Sequence, residues 1–333
     1  MPLPQDIQRL VILMPSWVGD VVMASCVWKM AREKYPNATI TAAIRPHLAA
    51  LLDGAEEIDS VLPLDMKSSV FSAGRTLKKL QADAIILLPN SIRSAVIARV
   101  ANIKNRAGYN RDWRSWLLTE GVEVQQQHTP TPTSNYYLRL ANELFEMHSE
   151  NALPSIATSD LQENILKDFS KPIVLFVPGA SKPQKRWSPK RFAEVADALH
   201  KLGATCCGIG SPEEYELVQE IVNTAESPMH NLTRSGVTLG SLKDVIRQAD
   251  LVITNDTGPR HIAVACGTPT ITMYGPTDYR WTKYECNNDI ALLADPFLPE
   301  HLVANSHPVR CDVNNIPSSD VVAVAKQYVT STR

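Results

Sequence analysis

The chain lacks most features that would commit it to a membrane, a metal or a nucleic acid. No apolar run approaches the roughly 20 residues that span a bilayer. The polar opening MPLPQDIQRL leads straight into a strand-like run, so no signal peptide is expected. The six cysteines, Cys26, Cys206, Cys207, Cys266, Cys286 and Cys311, include no CxxC pair, and several lie in apolar runs where a free thiol acts as a small hydrophobe. That usage fits a reducing compartment, and a cytoplasmic protein is expected. The eight histidines do not pair at metal-ligand spacing. GxxxxGK(S/T), HExxH, GxSxG and the EF-hand loop are all missing, which sets aside P-loop, zincin, serine-hydrolase and calcium chemistry. The first strand carries no GxGxxG. The nearest approach, Gly208-Ile209-Gly210-Ser211-Pro212-Glu213, has glutamate at the third glycine position and gives NAD little support. A net charge of −2 supplies no global pull toward nucleic acid.

What is present is an ordinary globular composition, 44% hydrophobic and 20% charged, over 333 residues. That length exceeds the size at which single cores stop growing, so two domains are expected. Apolar β-rich runs alternate with helical patterns, the order of a parallel sheet covered by helices. Strands are predicted at Leu10–Met14, Thr39–Ile44, Ser60–Leu64 and Ala84–Leu88, with helices at Asp20–Tyr35, Phe71–Gln81, Ser91–Ala101, Trp113–Leu118 and Asn135–Met147. Gln125–Ser134 reads as a loop, and the polar stretch Ser149–Lys171 as the domain junction. The pattern then restarts, with strands at Ile173–Val177, Ala204–Ile209, Leu251–Thr254 and Thr270–Tyr274 and helices at Pro189–Lys201, Glu213–Ala225 and Leu239–Ala249. Two consecutive α/β halves, 1–165 and 166–333, predict a pair of facing Rossmann-like domains. Such pairs bind substrate in the cleft outside the carboxyl ends of their strands.

Chemistry concentrates in the loops that leave those ends. The stretch TNDTGPRHIAVACGTPTITMYG, residues 254–275, reads as strand end, helix start and next strand, with Pro259 suited to a first helical turn. Either Asp256 and Thr257 merely cap this helix, or its free amides and dipole, with Thr257 and His261, bind a phosphate. Asp20, after Pro15-Ser16-Trp17-Val18-Gly19, is either a carboxylate suited to a helix N-terminus or a general base. Five cations between Lys182 and Arg191 have no acidic neighbour in sequence and oppose the dipole of the helix they precede. A bound diphosphate would neutralise both, whereas a solvated loop would not need to. Glu213 and Glu214 could hold ribose hydroxyls or simply favour a helix start. Between Arg93 and Arg114 the chain carries Arg93, Arg99, Lys104, Arg106, Arg111 and Arg114 against Asp112 alone, with Trp113 and Trp116 among them. This is either a soluble face or a surface steering an anionic acceptor.

These residues carry a family resemblance. PSWVGDVVMA at 15–24, LPNSIRSA at 88–95, NRAGYNRDWRSWLL at 105–118, VPGASKPQKRW at 177–187, TNDTGPRHIAVACGTP at 254–269 and YGPT at 274–277 resemble, in order, glycosyltransferase family 9, in its ADP-heptose:lipopolysaccharide heptosyltransferase II type. The resemblance implies an α/β GT-B fold and an inverting transfer of heptose from ADP-heptose to the lipopolysaccharide inner core, without an obligatory metal or cofactor. The acceptor falls to the N-terminal domain and the nucleotide sugar to the C-terminal one. It makes Asp20 the general base and Lys185 a diphosphate ligand, with Asp256, Thr257, Gly258 and His261 on diphosphate and heptose. Glu213 or Glu214 would hold ribose, and Val237, Thr238 and Leu239 would lie against adenine. Ser16, Trp17, Asn90, Arg93, Arg106 and Arg111 are the acceptor candidates. The anionic glycolipid acceptor implies peripheral contact with the inner membrane, with the enzyme a monomer and nucleic acid no partner. After YGPT the match fades through Asp278–Pro317. A nucleotide-sugar epimerase and a non-catalytic nucleotide-sugar-binding protein are the rival functions.

Overall fold

The computed structural model describes residues 2–124, 130–158, 165–295, 297–299, 301–307 and 309–330. By their contacts these fall into two compact units. The first holds the described residues to 124 together with 133–157, and the second holds those from 158 onward with 130–132. The change of unit after Ala157 lies inside the polar stretch read as a junction, and part of that stretch, 159–164, is outside the described residues.

In the first unit, β1 (Arg9–Leu13), β2 (Thr39–Ile44), β3 (Ser60–Pro63), β4 (Ala84–Leu87), β5 (Asn105–Asn110) and β6 (Glu120–Glu123) form one parallel sheet in the order β3-β2-β1-β4-β5-β6. β1, RLVIL, and β4, AIIL, are buried along almost their whole length, as strands must be when helices cover both faces. The helices are α1 (Val18–Met23), α2 (Ser25–Lys34), α3 (Val70–Lys78), α4 (Ile92–Val100) and α5 (Thr133–Phe145). The single helix expected over Asp20–Tyr35 is two, interrupted at Ala24. Ser69 and Ser91 cap α3 and α4 by accepting from the amides of Ser72 and Ser94.

The second unit repeats the plan. β7 (Ile173–Val177), β8 (Thr205–Gly208), β9 (Met229–Asn231), β10 (Leu251–Asn255), β11 (Thr270–Tyr274) and β12 (Asp289–Leu293) are parallel in the order β12-β11-β10-β7-β8-β9. Counted from its own first strand this is the same 3-2-1-4-5-6 order, so each sheet reverses direction of winding beside its first and fourth strands. Ligands of open α/β sheets gather at that switch point. α6 (Pro189–His200), α7 (Tyr215–Thr224), α8 (Leu239–Gln248), α9 (Gly258–Ala265) and α10 (Ser318–Thr330) complete the unit. Its core packs Val174, Phe176, Trp187, Phe192, Leu251 and Ile253.

One device recurs at the amino ends of the switch strands. Asp83, just before β4, accepts from the amides of Gln8 and Arg9 at 2.9 and 2.8 Å, and Asp250, just before β10, accepts from Ile173 N at 2.7 Å. Each carboxylate ties the fourth strand to the first, fixing the register that sets both carboxyl-end loops side by side.

Candidate active site

The second unit gathers its chemistry at the β7/β10 switch point. Asn255, the last residue of β10, is buried; its side chain donates to Pro178 O at 2.7 Å and accepts from Trp187 N at 3.1 Å. Trp187 is sealed in the core and donates from its indole to Ile316 O at 3.0 Å. The basic loop 178–187 is therefore pinned at both ends to the strand that precedes Asp256. Lys185 consequently lands with Nζ 2.7 Å from Oδ2 of Asp256. The acidic neighbour missing from the local sequence comes from 71 residues away.

Asp256 is ringed by charge. Burial alone would raise its pKa, but Lys185 and the adjacent Arg260 outweigh that and hold the carboxyl below its ordinary range, so it stays ionised. Arg260 is completely buried, paired with Asp289 at 2.6 Å and donating to Thr282 O at 3.0 Å. Its Nη1 has no hydrogen-bond partner among the described residues and lies 4.0 Å from Asp256 Oδ1. Lys185 and Arg260 thus balance Asp256 and Asp289, and an anion here would be held by placed donors more than by net charge. Those donors sit at the start of α9. Thr257 occupies the N-cap position but makes no side-chain cap bond, and Gly258 opens the helix where amides lack intrahelical acceptors. His261, one turn along, is buried with Nδ1 2.6 Å from the Tyr284 hydroxyl. Burial, aided by the Arg260 charge, pushes its pKa down to about 3, so the ring is neutral.

The remaining cations of the loop divide. Arg186 donates twice to Ala180 O, and Arg191 donates to Ile316 O, whereas Lys182 and Lys190 are exposed. Glu214 accepts from Ser211 N at 2.8 Å and fills the space that a Cβ on Gly179 or Gly210 would need. It therefore buttresses the loop after β7 against the loop after β8, while its neighbour Glu213 is exposed. Thr238 caps α8 by accepting from Ser241 N, and Val237 and Leu239 flank it half-buried.

In the first unit the corresponding switch point lies between β1 and β4. Pro15 to Gly19 lead from β1 into α1, with Trp17 69% exposed and Ser16 half-buried. Asp20 stands in the first turn of α1, half-buried and without a side-chain hydrogen bond among the described residues. Burial pushes its pKa up to about 6. That rise reflects desolvation with no compensating hydrogen bond among the described residues, while the first-turn position is one the helix dipole favours for a carboxylate. After β4, Asn90 donates to the Tyr136 hydroxyl at 3.0 Å and accepts from Arg114 at 3.3 Å.

The basic segment is corrected by the structure. Arg106 donates to Leu117 O, Ile103 O and Lys104 O at 2.7, 2.7 and 3.0 Å. Arg93 holds Met66 O and Ser68 O. Arg114 is fully buried against Tyr109 O, Pro89 O and Ser94 Oγ. These guanidinium groups staple backbone, so the excess charge is not a free steering face at these positions. Arg111 remains exposed, 3.8 Å from Asp112. Trp113 and Trp116 do not pack inward: they are 90% and 77% exposed. Arg260, Asn255, Tyr284 and Asp289 were not singled out from sequence; Asn255 and Arg260, both inside TNDTGPRH, carried a signal, as residues flanking Asp256 and His261. Among the described residues no group of three His, Cys, Asp or Glu side chains is placed to hold a metal ion.

Comparison with known proteins gives this arrangement its class. Residues 70–300 match the model of glycosyltransferase family 9 (heptosyltransferase), and the chain belongs to that family. It is 27% identical over 295 residues to lipopolysaccharide heptosyltransferase 2 of Salmonella typhimurium, covering 82% of this chain and 84% of that one. In three dimensions it is similar to the Escherichia coli ADP-heptose heptosyltransferase II (TM-score 0.80, 22% identity, 97% and 99% of the two chains). It is also similar to the Escherichia coli heptosyltransferase WaaC with ADP-2-deoxy-2-fluoro heptose (TM-score 0.71, 18% identity, 98% and 100%). The fold is accordingly the GT-B class, two Rossmann-like units each built on a parallel sheet, and the protein is a glycosyltransferase.

Proposed function

We propose that this protein transfers heptose from ADP-heptose to the inner core of lipopolysaccharide, adding the second heptose to the first with inversion. What carries this function is that the family match encloses the Lys185–Asp256–His261 cluster, whose pinned cation and helix start suit a sugar diphosphate. The donor is assigned to the second unit and the acceptor to the first.

In the reaction an acceptor hydroxyl oxygen attacks the anomeric carbon of the donor heptose. A new carbon–oxygen bond forms as the bond to the β-phosphate breaks, its electron pair leaves with ADP, and the hydroxyl proton passes to Asp20. A carboxylate raised to about 6 is well matched to that task near neutral pH, because a base works best when its pKa lies close to the working pH. Lys185, the Thr257 hydroxyl and the Gly258 amide stabilise charge growing on the diphosphate. Losing one placed donor to a developing anion typically costs about 10²–10³ in rate, and three such donors are assigned here. Asp256 serves by holding Lys185, since an ionised carboxylate would repel the phosphates directly. No metal or other cofactor is assigned a step. Glu213 is the candidate for ribose, given that Glu214 braces the loops. Ser16, Trp17, Asn90 and Arg111 are assigned to the acceptor. No described helix is long and apolar enough to cross a membrane; a monomer at the cytoplasmic face of the inner membrane, in peripheral contact with its glycolipid acceptor, fits the substrate.

The test is mass-spectrometric detection of transfer from ADP-heptose to truncated lipopolysaccharide acceptors. Heptosylated product that requires the acceptor is expected. Isomerised sugar nucleotide without acceptor would make the protein an epimerase, and ADP-heptose binding with no turnover would make it a binding protein.

A further inference from the structure

The segment after Tyr274, where the sequence resemblance fades, contributes a side chain to the proposed donor site. We propose that Tyr284 is a positioning residue whose hydroxyl donates to Nδ1 of His261 and fixes the ring as the Nε2–H tautomer, presenting a neutral N–H to the donor. The inference rests on the assignment of the α9 start to the sugar diphosphate.

The geometry decides which partner donates. Tyr284 Oη and His261 Nδ1 are 2.6 Å apart, with the rings edge to face at 84°. Tyr284 is buried, and its hydroxyl has no second hydrogen-bond partner among the described residues. If Nδ1–H donated to the phenol, the phenol's own proton would be buried without an acceptor. A buried donor left unmade is the costly arrangement, whereas an oxygen lone pair left unmade is tolerated more readily. The proton therefore lies on the phenol and Nδ1 accepts it. Arg260 reinforces this choice. Its guanidinium carbon lies 5.0 Å from the centre of the Tyr284 ring, and Asp289 holds it there at 2.6 Å. A cation at that distance draws electron density from the phenol and makes its O–H a stronger donor. The same cation discourages a second positive charge on the imidazole. With Nδ1 occupied, the ring's one proton sits on Nε2, which has no protein partner among the described residues and is not sealed from solvent. The chain thus adds a directed donor in the first turns of the helix that Thr257 and Gly258 open, without adding charge, and it does so from α9, the segment before β12 and the first residue of β12 together.

The test begins with the ligand-free wild-type enzyme. Nitrogen-15 NMR of its histidine rings, with the His261 signals assigned by their loss in His261→Gln, should show a protonated Nε2 and an unprotonated Nδ1. In Tyr284→Phe, which keeps the ring and removes only the hydroxyl, the His261 pattern should shift toward protonated Nδ1. Its kcat should fall about tenfold, the size expected when one hydrogen-bond donor is misdirected, with a smaller change in KM for ADP-heptose. A protonated Nδ1 in the wild type would overturn the inference even if Tyr284→Phe did not fold. So would a folded Tyr284→Phe enzyme with wild-type tautomer or wild-type kcat. A wild-type enzyme that showed the expected tautomer but transferred no heptose would instead remove the function it serves.

Discussion

At the scale of single residues, two side chains carry opposite relations between stability and function. Asp20 is a half-buried carboxyl with no pairing partner among the described residues, so its charge costs stability wherever it is ionised. Its folded pKa of about 6 lies above the ordinary value of 3.8, so the native state holds the proton more tightly than the unfolded chain. The wild type therefore loses stability as pH rises from about 4 to 6, and the loss is complete above that. Asp20→Asn cannot ionise and should match the wild type below pH 4 but exceed it by about 1–3 kcal/mol at pH 8. Thermal melts of both proteins across that range check the sign; a variant less stable at pH 8 would mean the carboxylate is favourably bound. Lys185 has the reverse character. Lys185→Ala should weaken ADP binding tenfold or more by calorimetry, because the placed cation is lost, and should also destabilise the fold by leaving Asp256 buried beside Arg260 alone. Lys190→Ala, in an exposed position of the same basic stretch, should bind ADP like the wild type. Equal losses in both variants would reduce Lys185 to one charge among several.

At the scale of elements, the segment from β5 to β6 separates charge that builds the fold from charge that can meet a ligand. Arg106→Ala should cost about 1–3 kcal/mol, since it strands three carbonyls in the segments that lead into β5 and β6, while Arg111→Ala should change stability by less than about 0.5 kcal/mol. Only Arg111→Ala should raise the acceptor KM with the fold intact. Chemical denaturation of both variants, beside acceptor kinetics, separates the two roles; an Arg106→Ala protein as stable as wild type would restore it as a surface charge. Legibility in the sequence followed the same line. Thr39–Ile44, Ile173–Val177 and Thr270–Tyr274 were read to the residue, because buried parallel strands are continuous β-rich runs with clear ends. β5, NRAGYN, was missed because its polar and glycine content mimics a loop, and β9 and β12 were missed as a short strand and a half-buried edge. The helix expected over Trp113–Leu118 is one turn at Ser115–Leu117, since Asp112 and Trp113 take left-handed backbone that no right-handed helix can include. Asp20, Lys185, Thr257 and His261 were legible because each stands where a strand ends and a helix begins. Tyr284 and Asp289 were not, because their meaning comes only from packing against Arg260.

At the scale of the whole molecule, one topology is used twice and loaded differently. Both sheets run 3-2-1-4-5-6. The first unit offers an unpaired carboxylate after its first strand, and the second offers a pinned lysine, a helix start and a neutral imidazole after its first and fourth. That division of labour, a proton acceptor from one half and charge stabilisation from the other, is the central claim. The most direct test is the pH dependence of kcat/KM for the lipopolysaccharide acceptor, measured for the wild type and Asp20→Asn at saturating ADP-heptose. The wild-type rate should rise with pH through an apparent pKa near 6 and then level, as Asp20 loses its proton. The variant should be at least about 10²-fold slower, lack that rise and still bind ADP normally. A wild-type rate that is flat from pH 5 to 8, or a variant that keeps more than about a tenth of the wild-type rate, would contradict the assignment of Asp20 as the base.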